Sequence, residues 1–80
     1  MKNKFKNLIY KRINELLTEH KITAETLAYQ SGISKGGLSE ILNGKKCPSS
    51  YTIAKICSGL NLTLKDFYNS EAFDKFTETL

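Results

Sequence analysis

The segment TAETLAYQSGISKGGLSEILNGK, residues 23–45, holds two short helical patterns joined by a glycine turn. Thr23 can cap the first helix and Ser34 the second, because each hydroxyl can accept a bond from an amide that the helix leaves unpaired. Leu27 and Ala28 point one way from the first helix, and Leu38, Ile41 and Leu42 one way from the second. Ala28 is small enough for the helices to cross closely. Gly32 stands where the chain must leave the first helix, a place that often needs positive φ, and Ile33 plugs the junction. So few residues separate the two helices that they must meet at a steep angle, as in a helix-turn-helix unit.

Lys35, Gly36, Ser39, Glu40 and Asn43 remain on the free face of the second helix. None is a large hydrophobe, and a small, polar, partly cationic face suits entry into a DNA major groove. An ordinary helical hairpin with a solvated face would present the same spacing, so the spacing alone leaves both readings open.

The order of further residues narrows the choice. Leu27-Ala28, Gly32-Ile33-Ser34, Leu38, Ile41, Asn43-Gly44-Lys45, Pro48-Ser49, Thr52-Ile53, Lys55-Ile56 and Leu60 follow one another over roughly residues 6 to 68. In this the chain resembles the Cro and phage-repressor type of helix-turn-helix regulators, the xenobiotic-response-element family. The resemblance implies an all-α fold, a compact bundle of five short helices with a possible sixth at the C-terminus. It implies a sequence-specific DNA-binding transcriptional regulator, a repressor, whose helix 34–43 lies in the major groove of double-stranded DNA, and a homodimer reading two half-sites about 34 Å apart. By position, Lys35, Gly36, Ser39 and Glu40 become the base contacts; a surface acid is the plainer reading of Glu40. Thr23, Ser34, Asn43, Lys45 and Lys46 become the phosphate contacts: Thr23 and Ser34 stand where outward amides at the two helix starts suit phosphates, and the match at Asn43-Gly44-Lys45 implies that the loop after the recognition helix reaches the sugar-phosphate backbone, as is common in this family. Two departures stand out. Ala24 occupies a position where relatives often carry glutamine. Gly36 and Gly37 sit inside the recognition helix, where each glycine costs about 1 kcal/mol relative to alanine; they either allow a close approach to the groove or leave the helix loose until DNA orders it.

Around this motif the pattern stays helical. Phe5, Leu8, Ile9, Ile13, Leu16 and Leu17 recur at helical spacing and predict a first helix over 5–20, with Lys11, Arg12, Asn14, Glu15 and Glu19 opposite. The motif helices fall at 24–31 and 35–43. Ser49 caps a helix over 50–59 that turns Ile53, Ile56, Cys57 and Leu60 inward and ends at Gly59 and Asn61. Thr63 and Asp66 fit a capping box opening a short helix that carries Leu64, Phe67 and Tyr68. No strand-like alternation interrupts the series. The organisation expected is a DNA-binding domain over 1–68 and a C-terminal helix or tail over 69–80, in which Phe73, Phe76 and Leu80 need a covering surface, their own domain or a second subunit.

Eighty residues allow one small domain, whose core on its own rarely supplies more than about 3–5 kcal/mol. The net charge of +4 and the pI near 9.1 favour nucleic acid as a partner. Lys2, Lys4, Lys6, Lys11 and Arg12 crowd the start, Lys35, Lys45, Lys46 and Lys55 surround the second half of the motif, and the tail is acidic on balance. Two cysteines and a distant His20 do not make a zinc site, which wants four ligands. Cys57 reads as a core residue and Cys47, before Pro48, as an exposed thiol. No cofactor is expected. His20 has no neighbouring nucleophile and no phosphate-cradling glycine loop is present, so the chain does not read as an enzyme. Without a leader, a membrane span or a small-molecule effector domain, a cytoplasmic protein is expected. The rival reading is a protein-binding module, or an antitoxin-like regulator, with the same fold and little DNA binding.

Overall fold

The computed structural model describes residues 2–80, with side chains from Lys4 onward; Met1 and the side chain of Lys2 in the N-terminal basic cluster lie outside the described residues. Six helices follow one another: α1 Lys2–His20, α2 Ala24–Ser31, α3 Lys35–Leu42, α4 Ser50–Gly59, α5 Leu64–Tyr68 and α6 Glu71–Glu78. The structure is all-helical, as expected, and the C-terminal segment is a sixth helix. Helix α1 begins three residues earlier than its apolar face suggests, and α3 ends one residue earlier, at Leu42.

Local chemistry sets most of these boundaries. The Thr26 amide donates to Thr23 Oγ1, the Gly37 amide to Ser34 Oγ and the Thr52 amide to Ser49 Oγ, at 3.1, 3.0 and 3.1 Å. Asp66 closes the box at α5, its amide donating to Thr63 Oγ1 while its carboxylate accepts from the Thr63 amide. At the other ends Gly32 and Gly44 take φ of 68° and 73°, a conformation without side-chain penalty only for glycine. Asn61 (φ 59°) does the same after α4, so Gly59 is the last helical residue of α4 and not its terminator.

The core gathers Ile9, Ile13, Leu16 and Leu17 of α1, Leu27 and Ala28 of α2, Leu38 and Ile41 of α3, and Ile53, Ile56 and Cys57 of α4, closed by Leu60 and Phe67. Ile33 packs against it from the turn. Helix α2 lies very close to α4: a Cβ on Gly59 would overlap the Ser31 hydroxyl oxygen and stand 3.0 Å from the Ser31 backbone nitrogen. That crossing, not a turn, is what requires glycine at 59. The Ser31 hydroxyl is itself buried there without a hydrogen-bond partner among the described residues.

Three apolar or charged side chains sit differently from their sequence expectation. Arg12 belongs to no solvated face: its side chain is 13% exposed, and it donates to the carbonyls of Phe67 (2.7 Å) and Asp66 (2.9 Å), tying α1 to the end of α5. Leu64 remains 47% exposed, since Phe67 alone fills the core from α5. Cys47 is half-buried rather than exposed, because the buried ring of Pro48 draws the loop onto the body. Helix α6 returns to α1. Phe73 is buried, with ring centroids 5.1 Å from Tyr68 and 6.3 Å from Phe5, and Phe76 lies 5.3 Å from Phe5; Leu80 stays exposed. The radius of gyration, 11.9 Å, matches the roughly 12 Å expected of a compact chain this long, so α6 is part of the body.

Candidate nucleic-acid interface

Helix α3 commits Leu38 and Ile41 to the core, and with them its orientation. At 100° per residue, the side directly opposite carries Gly36, Ser39, Glu40 and Asn43, with Lys35 at its edge; all five are exposed. Among the described residues, and apart from its chain neighbours and the backbone of its own helix, no atom comes within 4 Å of where a Gly36 Cβ would be, so the first turn of α3 is bare on its outer side. Gly37 differs: a Cβ there would stand 2.8 Å from Ser34 Oγ, against the capping oxygen. The Asn43 side-chain amide approaches Ser39 Oγ at 3.4 Å, pairing these two along the outer face.

The far end of α3 is tightly finished. Amides of Lys45 (3.0 Å) and Lys46 (3.3 Å) both donate to the Glu40 carbonyl, and the Gly44 amide donates to Ile41. Both lysines are thus anchored by their backbone beside the last turn of the helix while their side chains stay exposed. The remaining predicted residues, Thr23 and Ser34, are exposed at the helix N-termini and occupied as caps. Each cap takes up one amide, leaving the amides before it facing outward.

Two shallow hollows flank α3. On the α2 side, Ala24, Leu38 and Leu42 line a groove together with Glu25, Lys35, Ser39 and Asn43. Lys35 Nζ is 3.2 Å from Glu25 Oε2 across it. On the α4 side, Ser34, Gly37 and Lys46 share a more polar hollow with Thr52 and Lys55. The structure therefore brings Lys35, Ser39 and Asn43 to one flank and Ser34 and Lys46 to the other, with Gly36 and Glu40 between.

Sequence reasoning did not single out Glu25, Thr52, Tyr51 or Lys55 as site residues. Lys55 Nζ stands 5.3 Å from the centroid of the exposed Tyr51 ring, an i, i+4 cation–π pair on α4 whose spacing is visible in the sequence. For Glu25 no local signal exists, since its partner is on another helix.

Other chemistry is sparse. Among the described residues no three of His, Cys, Asp and Glu are placed to hold a metal ion, and no helix is long and apolar enough to cross a membrane. Burial and, second, the nearby Asp66 charge push the Cys57 thiol above its ordinary value, so it stays protonated.

Comparison with protein families gives a match to the family described as "Cro/C1-type HTH DNA-binding domain" over residues 12–72, from the second half of α1 to the start of α6. Comparison with curated proteins and with solved structures gives no match.

Proposed function

The chain belongs to the Cro/C1-type helix-turn-helix DNA-binding domain family, and from that premise we propose that it is a sequence-specific transcriptional regulator that represses by occupying its site as a twofold dimer. Helix α3 enters the major groove. Lys35, Gly36, Ser39 and Glu40 face the base edges, where lysine donates to guanine O6 or N7 and a carboxylate accepts from cytosine N4. Thr23, Ser34, Asn43, Lys45 and Lys46 hold the phosphates on either side and fix the register.

The observation that carries this reading is the outer side of α3. It is exposed along its length, has no large apolar side chain, and is flanked at its end by two lysines whose backbone is fixed by the Glu40 carbonyl. A convex polar helix of this kind fits a groove about 12 Å wide.

Selection of bound sites from a random duplex pool tests it. A palindromic site with half-sites about one helical turn apart is expected. Fluorescence polarisation with random duplex at low salt separates the rival: no binding at all would assign the fold to a protein-binding module. Lys46→Ala should weaken binding to selected and random duplexes alike and flatten the plot of log affinity against log salt by about one unit. A loss confined to the selected site would make Lys46 a base contact instead.

A further inference from the structure

We propose that Glu25 is a positioning residue for sequence readout: it fixes the direction in which Lys35 presents its ammonium group to a base edge. This rests on the reading of α3 as the major-groove helix.

Glu25 lies in the first turn of α2 and Lys35 opens α3, with Oε2 and Nζ 3.2 Å apart. Both side chains are mostly exposed, 70% and 72%, so burial does not force them together. The crossing of the two helices does, by setting their first turns side by side at the mouth of the groove floored by Ala24, Leu38 and Leu42. The methyl of Ala24 offers α3 no polar group. Among the described residues, the Glu25 carboxylate makes the side-chain polar link between α2 and α3.

A lysine is a point charge on a flexible four-carbon stem. Left free at the edge of a groove, it finds a phosphate as readily as a base, and phosphates carry no sequence. The carboxylate, 3.2 Å from the ammonium, tethers it at the α2 side of the groove, offsets much of its long-range attraction, and narrows the directions from which the lysine can reach a base edge. An exposed ion pair is weak in bulk water. Between protein and duplex, where water is thinned, its two members attract more strongly. The same carboxylate is repelled by every phosphate. Glu25 therefore has two effects of opposite sign: it lowers affinity for arbitrary duplex, and it raises discrimination at the base pair beneath Lys35. An ion pair serving only to hold α2 to α3 would change thermal stability and neither of these.

The test uses the full chain and the duplex recovered from the random pool. Dissociation constants are measured by fluorescence polarisation for that duplex, for duplexes altered one base pair at a time, and for random duplex. Wild type, Glu25→Gln, Lys35→Met and the double variant are compared, with thermal unfolding of each alongside. Glu25→Gln should melt within about 2 °C of wild type, as surface substitutions do. It should bind random duplex about threefold tighter with a salt slope steeper by about one unit, as Lys35 turns to a phosphate. It should lose about threefold to fivefold in discrimination at one base pair, the size of one favourable ion pair. In the Lys35→Met background the same change should leave discrimination untouched. If Glu25→Gln alters every duplex by one common factor in both backgrounds, Glu25 is a general charge and the proposal is overturned. Wild type binding no duplex would remove the parent reading together with this one; wild type selecting a site that Glu25→Gln reads equally well would remove this one alone.

Discussion

Three glycines in helices of this chain have three different reasons, and only their surroundings tell them apart. Gly36 faces open space, Gly37 backs onto the Ser34 cap, and Gly59 touches the backbone of α2. Alanine should act accordingly. At Gly36 it removes unfolded-state freedom without meeting an atom beyond its own helix backbone and chain neighbours, and stability should rise by up to about 1 kcal/mol. At Gly59 it would overpack a backbone crossing and cost about 1–3 kcal/mol. For a domain this small, thermal unfolding should separate the two variants by several degrees, in opposite directions from wild type. A Gly36→Ala variant that melts lower would mean that the first turn of α3 is not helical in solution. Gly37→Ala should gain less than Gly36→Ala, because its Cβ would stand 2.8 Å from the Ser34 hydroxyl oxygen, which must shift although it caps the helix.

At the scale of the element, each motif helix is started by a hydroxyl cap, and α5 adds a carboxylate that titrates. The bond from the Thr63 amide, then that from Thr63's side chain, holds Asp66 below its ordinary value of 3.8. A group whose folded-state value is depressed contributes stability above its unfolded value and loses it as pH falls through the folded one. Acid should therefore loosen α5 below about pH 4. Asp66→Asn retains an acceptor that does not titrate. Its melting temperature should fall less between about pH 5 and pH 3 than that of wild type; parallel curves would show that the box does not contribute to acid sensitivity. The consequence reaches α1, because the Asp66 and Phe67 carbonyls that end this helix are the ones Arg12 grips.

For the molecule as a whole, α6 decides how much core there is. A domain of this size holds only about 3–5 kcal/mol, and Phe73 places a buried aromatic ring among Phe5, Phe67 and Tyr68. Phe73→Ala should cost about 3 kcal/mol, near the lower end for a buried phenylalanine, and shift the urea midpoint to the edge of unfolding. A change below about 0.5 kcal/mol, typical of a surface site, would mean that α6 lies against α1 without supporting it.

Sequence alone determined what depends on neighbours a few residues apart. The caps at Thr23, Ser34, Ser49 and Thr63 were legible, because each acts on an amide three residues on. So were the inward positions of α1 to α4, since helical periodicity maps directly onto a face. The all-helical fold and the outward side of α3 follow from these. Tertiary structure decided the contacts between residues far apart in the chain. Arg12 became a clamp across 55 residues, Gly59 a point of contact with Ser31, Lys35 a partner of Glu25, and Phe73 a core residue. Periodicity gives the face a residue occupies but not the angle or offset at which another helix crosses it. Those are set by how all the side chains fit together at once, and they determine which far-apart residues meet.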